Sequence, residues 1–318
     1  RVGVRKFNEE ARSRVLRYAD DWEKIIPRLG RFVDMNDDYR TMDPSYTESV
    51  WWAFKTLYDK ELIYKGFKAM HLCPRCGTTL SNFEVNQGYK DISDLAVTVK
   101  FELHDTNQRM DTNDTNKGKT YLLAWTTTPW TLPGNFALAV NPDIEYVKII
   151  DNQQLTTNKM EFYILAKDRF EALKEKFSNF GIKEKIKGKD LIGKSYKPLF
   201  DYYTKADIPN KENAWKIYGA DFVSTEEGTG IVHIAPAFGD DDLKLAEEKK
   251  IPIVHHVDED GRFKKEVKDF AGLFVKPKDN EEEEIGHTDT DVEIVKHLAQ
   301  AGLIFAKEKV THSYPHCW

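Results

Sequence analysis

The hydrophobic pattern divides the chain into extended and helical stretches. Residues 95–103, LAVTVKFEL, alternate between apolar and polar side chains, which predicts a half-buried antiparallel strand. Other short apolar stretches predict further strands, at residues 121–125, 136–140, 145–150, 161–166 and 231–235. Short strands at this spacing with a few helices favour an α+β fold, in which helices decorate a β-barrel-like domain.

Helical patterns occupy the two ends of the chain and one position in its middle. They cover residues 7–20, 42–66, 167–177 and 290–302. In the second stretch, Asp43 and Pro44 are typical of a helix start, and Gly66 is typical of a helix end. The apolar residues of this helix, which we expect to pack as core against the next element, are Val50, Phe54, Leu57 and Tyr58.

The composition is that of an ordinary globular protein, with 318 residues, 40% hydrophobic residues and 12% aromatic residues. This length predicts roughly two domains. No apolar stretch approaches the ~20 residues of a membrane span, and the first residues lack the apolar core of a signal peptide, so we expect a cytoplasmic protein. Because the chain begins with arginine, we expect it to be a piece of a longer polypeptide.

The net charge of −6 argues against a general nucleic-acid coat protein. Residues 183–197 nevertheless hold six lysines. They could contact a phosphate backbone or form a solvated surface.

The first stretch with candidate chemistry is AWTTTPWTLPGN, at residues 124–135. Thr126, Thr127 and Thr128 are β-branched and suit the end of a strand, which Pro129 then stops. Alternation predicts that the first and third hydroxyls point to one side and the second to the other. The alternative is an ordinary strand end with satisfied hydroxyls.

The second stretch is GTGIVHIAPAFGDDD, at residues 228–242. His233 is the polar member of a short buried strand and could be an ordinary core histidine. The three aspartates 240–242 precede a helical pattern, so they could cap a helix N-terminus. A metal pair of His233 and Asp242 is less favoured, because no second His or Cys lies at ligand spacing.

A Cys-x-x-Cys turn, CPRCG, lies at residues 73–77. Cys73 and Cys76 could form half of a zinc knuckle, a redox motif or two unmodified thiols. Cys317 lies one residue before the end of the sequence, so a partner pair that starts there would lack its second cysteine. We therefore expect an incomplete zinc site of Cys73, Cys76 and Cys317, with His312 or His316 as substitute ligands.

Together these stretches resemble the editing insertion of the isoleucyl-tRNA synthetase family. The resemblance covers nearly the whole chain, and the matching motifs occur in the family's order. They are residues 41–60, 73–85, 125–135, 228–242 and 312–318. Related valyl and leucyl enzymes carry TTRP where this chain has TTTPW, so the threonine run favours the isoleucyl member.

The resemblance implies a role for each matched residue. Asp242 matches a carboxylate that holds the α-ammonium of a misattached amino acid, His233 matches a pocket-wall residue, and Trp130 borders the same site. Residues 126–128 match the run that positions the ester and its water. We hypothesise catalysis by positioning and electrostatics, with a hydroxyl of the terminal adenosine assisting.

The implied activity is hydrolysis of valine from mischarged Val-tRNA(Ile) or from valyl-adenylate. One methylene in an apolar pocket is worth only ~1–3 kcal/mol, and isoleucine against valine is the standard example of this limit. No HIGH-type or KMSKS-type motif is present, so we expect no aminoacylation, with ATP and magnesium used only by the parent enzyme.

The resemblance also implies an organisation and partners. Residues 1–90 would form a helical segment and the Cys-x-x-Cys knuckle of a stalk, 91–275 the editing domain, and 276–318 a helix and the return to the stalk. The partners would be tRNA(Ile) and the parent's catalytic domain, with the piece itself monomeric. The alternatives are a non-catalytic tRNA-binding or zinc-ribbon module, and a free-standing deacylase.

Overall fold

The computed structural model describes residues 3–73, 77–104, 118–152, 160–173, 175, 177, 179–275 and 289–316. The chain forms two compact units, Arg1–Phe67 and Lys68–Trp318. In the described part of the chain, no helix has the length and apolar character needed to cross a membrane.

The first unit contains two helices, α1 (Val4–Arg28) and α2 (Pro44–Asp59). Asp43 is the N-cap of α2, as predicted, but the helix ends well before Gly66. The prediction that α2 packs as core is wrong, because none of its residues is buried and Trp51 and Trp52 are each 71% exposed. Apolar spacing gives a helix a face that can be buried, but burial needs a covering surface, and α1 also has no buried residue.

The second unit holds eleven strands and four α-helices among its described residues. The strands are β1 (Leu72–Cys73), β2 (Thr78–Thr79), β3 (Tyr89–Glu102), β4 (Lys119–Thr126), β5 (Ala137–Val140), β6 (Glu145–Asp151), β7 (Glu161–Ala166), β8 (Phe180–Lys187), β9 (Lys216–Gly219), β10 (Ile231–Ile234) and β11 (Ile304–Pro315). The helices are α3 (Asn82–Gln87), α4 (Lys167–Ala172), α5 (Asp240–Lys249) and α6 (Asp289–Gln300). Short 3₁₀ helices occur at Pro129–Gly134, Gly188–Asp190 and Lys211–Asn213.

The strands form a six-stranded sheet in the order β11-β3-β4-β7-β6-β8, a three-stranded sheet in the order β10-β5-β9, and the hairpin β1-β2. The β4-β7 and β5-β9 pairs are parallel, and the others are antiparallel. Within the described residues these sheets do not close on themselves, so the expected barrel is wrong and the unit is a mixed α/β structure. Alternating strands reveal sheet formation but not closure, which depends on which strands become neighbours.

A two-stranded ribbon extends beyond the six-stranded sheet. Strand β3 pairs with β4 only over Val97–Glu102 but pairs with β11 over Tyr89–Val99. Asp94 in this ribbon is fully buried, and its Oδ2 lies 3.0 Å from His312 Nε2. The described residues thus show a β-ribbon formed by β3 and β11, and the zinc knuckle stays a prediction, because Cys76 and Cys317 lie outside them.

Both faces of β3 are covered, although its alternation predicted one polar face. Lys100 is 8% exposed, and its Nζ lies 3.0 Å from Glu161 Oε2 and 4.9 Å from the ring centre of Tyr121. Ion pairing and cation–π contact let a lysine lie in a covered position. The predicted half-buried strand is therefore a largely buried one.

The main core joins the two larger sheets. Its members come from both of them and include Leu122, Ile164, Leu138, Ile217 and Ile231. Thr229, just before β10, fastens the sheets together, since its hydroxyl donates to Leu123 O at 2.6 Å and its carbonyl accepts from Ala166 N at 2.9 Å. This junction places the loop before β10 beside the end of β4.

Gly230 gives a test of that junction. It has φ +75°, and a Cβ there would overlap the Cβ of Ala166. We expect Gly230→Ala to lower the free energy of unfolding by about 2–4 kcal/mol, from left-handed strain plus overpacking. Gly272→Ala is the matched control, because Gly272 has φ +80° with nothing within 4 Å of its Cβ position, so only the strain, about 1–2 kcal/mol, applies. Equal losses in urea titrations of the two variants would contradict the close approach.

Candidate functional site

A cleft of about 330 Å³ opens between the end of β4, the loop before β10 and the start of α5. Thr126, Thr127 and Thr128 line it together with His233 and Asp242. The threonine run and the distant carboxylate, which are more than 110 residues apart in the sequence, therefore meet at one site.

The threonine run folds into a tight hydrogen-bonded turn at the end of β4. Thr126 Oγ1 accepts from Thr128 N at 3.1 Å and lies 3.2 Å from Thr128 Oγ1. The 3₁₀ helix Pro129–Gly134 then begins, and the Thr131 hydroxyl donates back to Thr128 O at 2.8 Å. The first and third hydroxyls share one side, as alternation predicted.

Thr127 differs from its neighbours. It is partly exposed in the cleft, and its hydroxyl makes no hydrogen bond to any residue that the structure describes. A threonine hydroxyl can both donate and accept. Thr127 therefore offers the cleft an unoccupied hydroxyl on a backbone that its neighbours hold in place.

His233 lies on β10 and is held at both ring nitrogens. Asn135 Nδ2 donates to Ala137 O at 2.9 Å and lies 2.9 Å from His233 Nδ1. Because this amide nitrogen is a donor, Nδ1 is an acceptor, and Nε2 carries the proton toward Thr131 Oγ1 at 2.9 Å. Tyr196 completes the chain by donating to Asn135 Oδ1 at 2.7 Å.

This network decides what His233 can do. Burial lowers the pKa of His233 to about 3, so the ring is neutral at physiological pH. Both nitrogens are already occupied, so His233 can limit the cleft by its shape but is not free to accept a proton from a water molecule.

Asp242 lies in the first turn of α5. Its Oδ2 accepts from Ala235 N at 2.8 Å, and its Oδ1 makes no hydrogen bond to a described residue. Burial raises the pKa of Asp242 to about 6, with Ala235 N opposing the rise and the Asp241 carboxylate adding to it. At neutral pH the cleft thus contains an ionised carboxylate with one free oxygen.

The charges around the cleft are of one sign. Asp242 and Glu227 are the carboxylates among its described lining residues, and no lysine or arginine lies among them. Since His233 is neutral, the lining favours a ligand with a positive group near Asp242.

Trp130 is not among the lining residues. Its ring packs edge-to-face on Phe238, which does line the cleft, with 5.2 Å between ring centres. Its backbone is fixed on both sides, since Trp130 N donates to the buried Asp291 at 2.9 Å and His256 Nε2 lies 3.2 Å from Trp130 O. Trp130 therefore supports the cleft from behind Phe238.

The described residues contain no group of three or more His, Cys, Asp or Glu side chains that could hold a metal. His312 contacts Asp94, and His316 Nδ1 donates to Tyr314 O at 2.9 Å, so one nitrogen of each has a partner. Cys73 is buried in β1, while Cys76 and Cys317 lie outside the described residues. The zinc site stays a prediction, and the described donors alone do not supply it.

Sequence reasoning missed several residues that position the site. Asn135 and Thr131 belong to the stretch singled out at 124–135 and could have been considered from their polarity. Tyr196 and Asp291 reach the site from distant segments, and no local pattern marks them.

Known proteins resemble this chain over its whole length. The isoleucine--tRNA ligase of Treponema denticola is 42% identical across 100% of the chain, which spans 29% of that protein. The cytoplasmic isoleucine--tRNA ligase of Saccharomyces cerevisiae is also 42% identical across 100% of the chain, which spans 27% of it. The chain thus covers less than a third of the length of these relatives.

Among solved structures, the P. knowlesi cytosolic leucyl-tRNA synthetase editing domain matches 52% of this chain and 67% of its own, with a TM-score of 0.37 and 19% identity. A family model for "tRNA synthetases class I (I, L, M and V)" matches residues 1–276. The chain therefore belongs to the class I tRNA synthetases.

Proposed function

We propose that this chain is an editing domain, which hydrolyses the ester of tRNA(Ile) mischarged with valine and releases valine. The observation that carries the proposal is the free Asp242 oxygen, which shares a cleft with the unoccupied Thr127 hydroxyl. An aminoacyl ester presents an α-ammonium next to a reactive carbonyl, so one site needs a carboxylate for the first group and neutral hydrogen-bonding groups for the second. The isoleucine--tRNA ligase relatives support tRNA(Ile) as the partner, and the name of the Saccharomyces cerevisiae relative supports a cytoplasmic location.

In this mechanism the ionised Asp242 carboxylate binds the α-ammonium and so fixes the orientation of the ester. The Thr127 hydroxyl orients the attacking water or stabilises the oxyanion that develops on the carbonyl oxygen. Water adds to the carbonyl carbon, the carbon–oxygen ester bond breaks, and the terminal ribose oxygen takes up a proton. A hydroxyl of the terminal adenosine assists the proton transfer, because His233 has no free nitrogen.

Selectivity follows from shape. His233 is a rigid wall residue, since its ring is fixed at both nitrogens. A packed wall that accepts valine opposes the extra methylene of isoleucine by overlap. The editing pocket thereby removes the amino acid that the parent enzyme distinguishes poorly.

Asp242→Asn tests the carboxylate. We expect kcat/KM for Val-tRNA(Ile) deacylation to fall by about 10²-fold or more, because a charge-assisted contact to the ammonium is lost. Asp241→Asn is the matched control, since Asp241 lies in the same helical turn, is exposed and does not line this cleft. Valine release from Val-tRNA(Ile) measures both, and equal rates in the two variants would remove Asp242 from the mechanism.

Asp242→Asn should also stabilise the fold at neutral pH. The pKa of Asp242 is about 6 in the folded state against an ordinary 3.8, so the folded protein binds this proton more tightly than the unfolded chain does. The ionised carboxylate therefore opposes folding above pH 6, and this cost fades as the pH falls toward 3.8. We expect Asp242→Asn to raise the free energy of unfolding on the order of 1–3 kcal/mol at pH 7, and much less at pH 4. Urea titrations at the two pH values measure this, and a loss of stability at pH 7 would contradict it.

The pH dependence of hydrolysis should follow the ionisation of the Asp242 carboxyl. Below pH 6 the Asp242 carboxyl becomes protonated and loses its attraction for the ammonium, so kcat/KM should fall by about tenfold per pH unit. His233 does not contribute in this range, because its pKa is about 3. The measurement is single-turnover deacylation between pH 5 and 7.5, and a flat profile over that range would contradict this role for Asp242.

Thr127→Val separates the free hydroxyl from its bonded neighbours. We expect hydrolysis to slow by about 10²-fold with unchanged stability, because the hydroxyl makes no hydrogen bond to the described residues. Thr126→Val should lower the free energy of unfolding by about 1 kcal/mol, since Thr128 N loses its acceptor. Wild-type rates in a folded Thr127→Val protein would show that this hydroxyl does not act in the reaction.

A further inference from the structure

One wall of the cleft depends on an arginine that does not line it. The wall is the segment 224–228, which contributes Ser224, Glu227 and Gly228 to the lining. Arg169, on α4, donates from Nε to Gly228 O at 2.9 Å and from Nη1 to Glu226 O at 2.8 Å and Thr225 O at 3.4 Å. One guanidinium thus donates to three backbone carbonyl oxygens of this wall.

The residues on either side of the segment are fixed by other means. Thr229 is tied to β4 and β7, as described above, and Gly230 O accepts from the buried Tyr146 hydroxyl at 2.8 Å. On the other side, Asn141 Nδ2 donates to Val223 O at 3.1 Å. Among the described residues, Arg169 is the only one outside segment 224–228 that hydrogen-bonds to it.

The contact also needs arginine in particular. A planar guanidinium offers five N–H donors in a fixed arrangement, whereas a lysine ammonium is a point charge on a flexible stem. Helix α4 has six residues, none of them buried. Phe170 of this helix packs against Phe177, with 5.5 Å between ring centres. The hydrogen bonds of Arg169 join α4 to segment 224–228.

We propose that Arg169 is a positioning residue that holds segment 224–228 as a rigid wall of the cleft, and that selectivity against Ile-tRNA(Ile) depends on it. This proposal rests on the proposed editing function for its second half only. A wall that can move outward admits a larger side chain, so its loss should affect discrimination more than the chemical step.

The first experiment measures the wall directly and needs no enzymatic activity. Glu226 and Glu227 are exposed, so a glutamate-specific protease can cleave after them when the segment opens. We expect Arg169→Ala to raise the cleavage rate at these bonds by about tenfold or more, and Arg169→Lys to restore it only in part. The matched control is Arg262→Ala, since Arg262 Nη1 likewise donates to a glycine carbonyl, Gly272 O at 2.7 Å, but lies outside the cleft lining. Equal cleavage in the Arg169→Ala and Arg262→Ala proteins would overturn the anchoring.

The second experiment measures selectivity in the same set of variants. We expect Arg169→Ala to lower the ratio of kcat/KM for Val-tRNA(Ile) to that for Ile-tRNA(Ile) by about tenfold, with Arg262→Ala at the wild-type ratio. An unchanged ratio in a protein with an opened wall would overturn the selectivity role. If the wild-type chain itself releases no valine, the proposed function fails, while the proteolysis result still decides whether Arg169 holds the wall. Should Arg169→Ala not fold, Arg169→Lys carries both measurements.

Discussion

The end of strand β10 carries a hydrogen bond to each side of the cleft. His233 is bonded to Thr131, which holds the backbone of the threonine turn, and Ala235 N binds the carboxylate of Asp242. His233 and Ala235 are two positions apart at the end of β10. This short stretch therefore sets the distance between the threonine turn and the Asp242 carboxylate. Since β10 also pairs with β5 inside the core, neither the threonine turn nor the Asp242 carboxylate can shift without disturbing the sheet.

A neutral histidine suits this structural role better than a charged one. The ring uses one nitrogen as acceptor and the other as donor, which matches Asn135 on one side and Thr131 on the other. Protonation would turn the acceptor into a second donor facing an amide N–H, so the network and the burial of the ring both favour the neutral form. The histidine that the resemblance assigned to the pocket wall thus also orders hydroxyl groups that remain neutral.

Many of the strands and helices could be predicted from local sequence pattern, but the way the strands assemble into sheets could not. Strand β7 matches its predicted residues 161–166. Helix α5 begins at the three aspartates 240–242, as expected because negative charge is favourable at a helix N-terminus. Strands β8 and β11 were missed, because β8 carries exposed lysines and β11 is polar over much of its length. Such strands are stabilised by pairing with a neighbour, and pairing across long sequence distances leaves no periodic signal.

The candidate site shows the same division. The resemblance identified the threonine run and Asp242, and the cleft brings them together. The resemblance also placed Trp130 at the border of the site, yet its ring packs on Phe238 and does not line the cleft. The residues that hold the site, Asn135, Tyr196 and Arg169, contact it across long sequence distances, so only tertiary structure reveals them.

The burial of Asp242 is an argument about the ligand as well as about the protein. Burying an ionised carboxylate costs free energy unless it is paired, and here one backbone N–H offsets only part of that cost, as the raised pKa shows. A fold selected for stability alone would carry a neutral residue at this position. The α-ammonium of the proposed substrate would pair with this carboxylate and lower its pKa again. The cost of burying this carboxylate would then be offset when the ammonium binds.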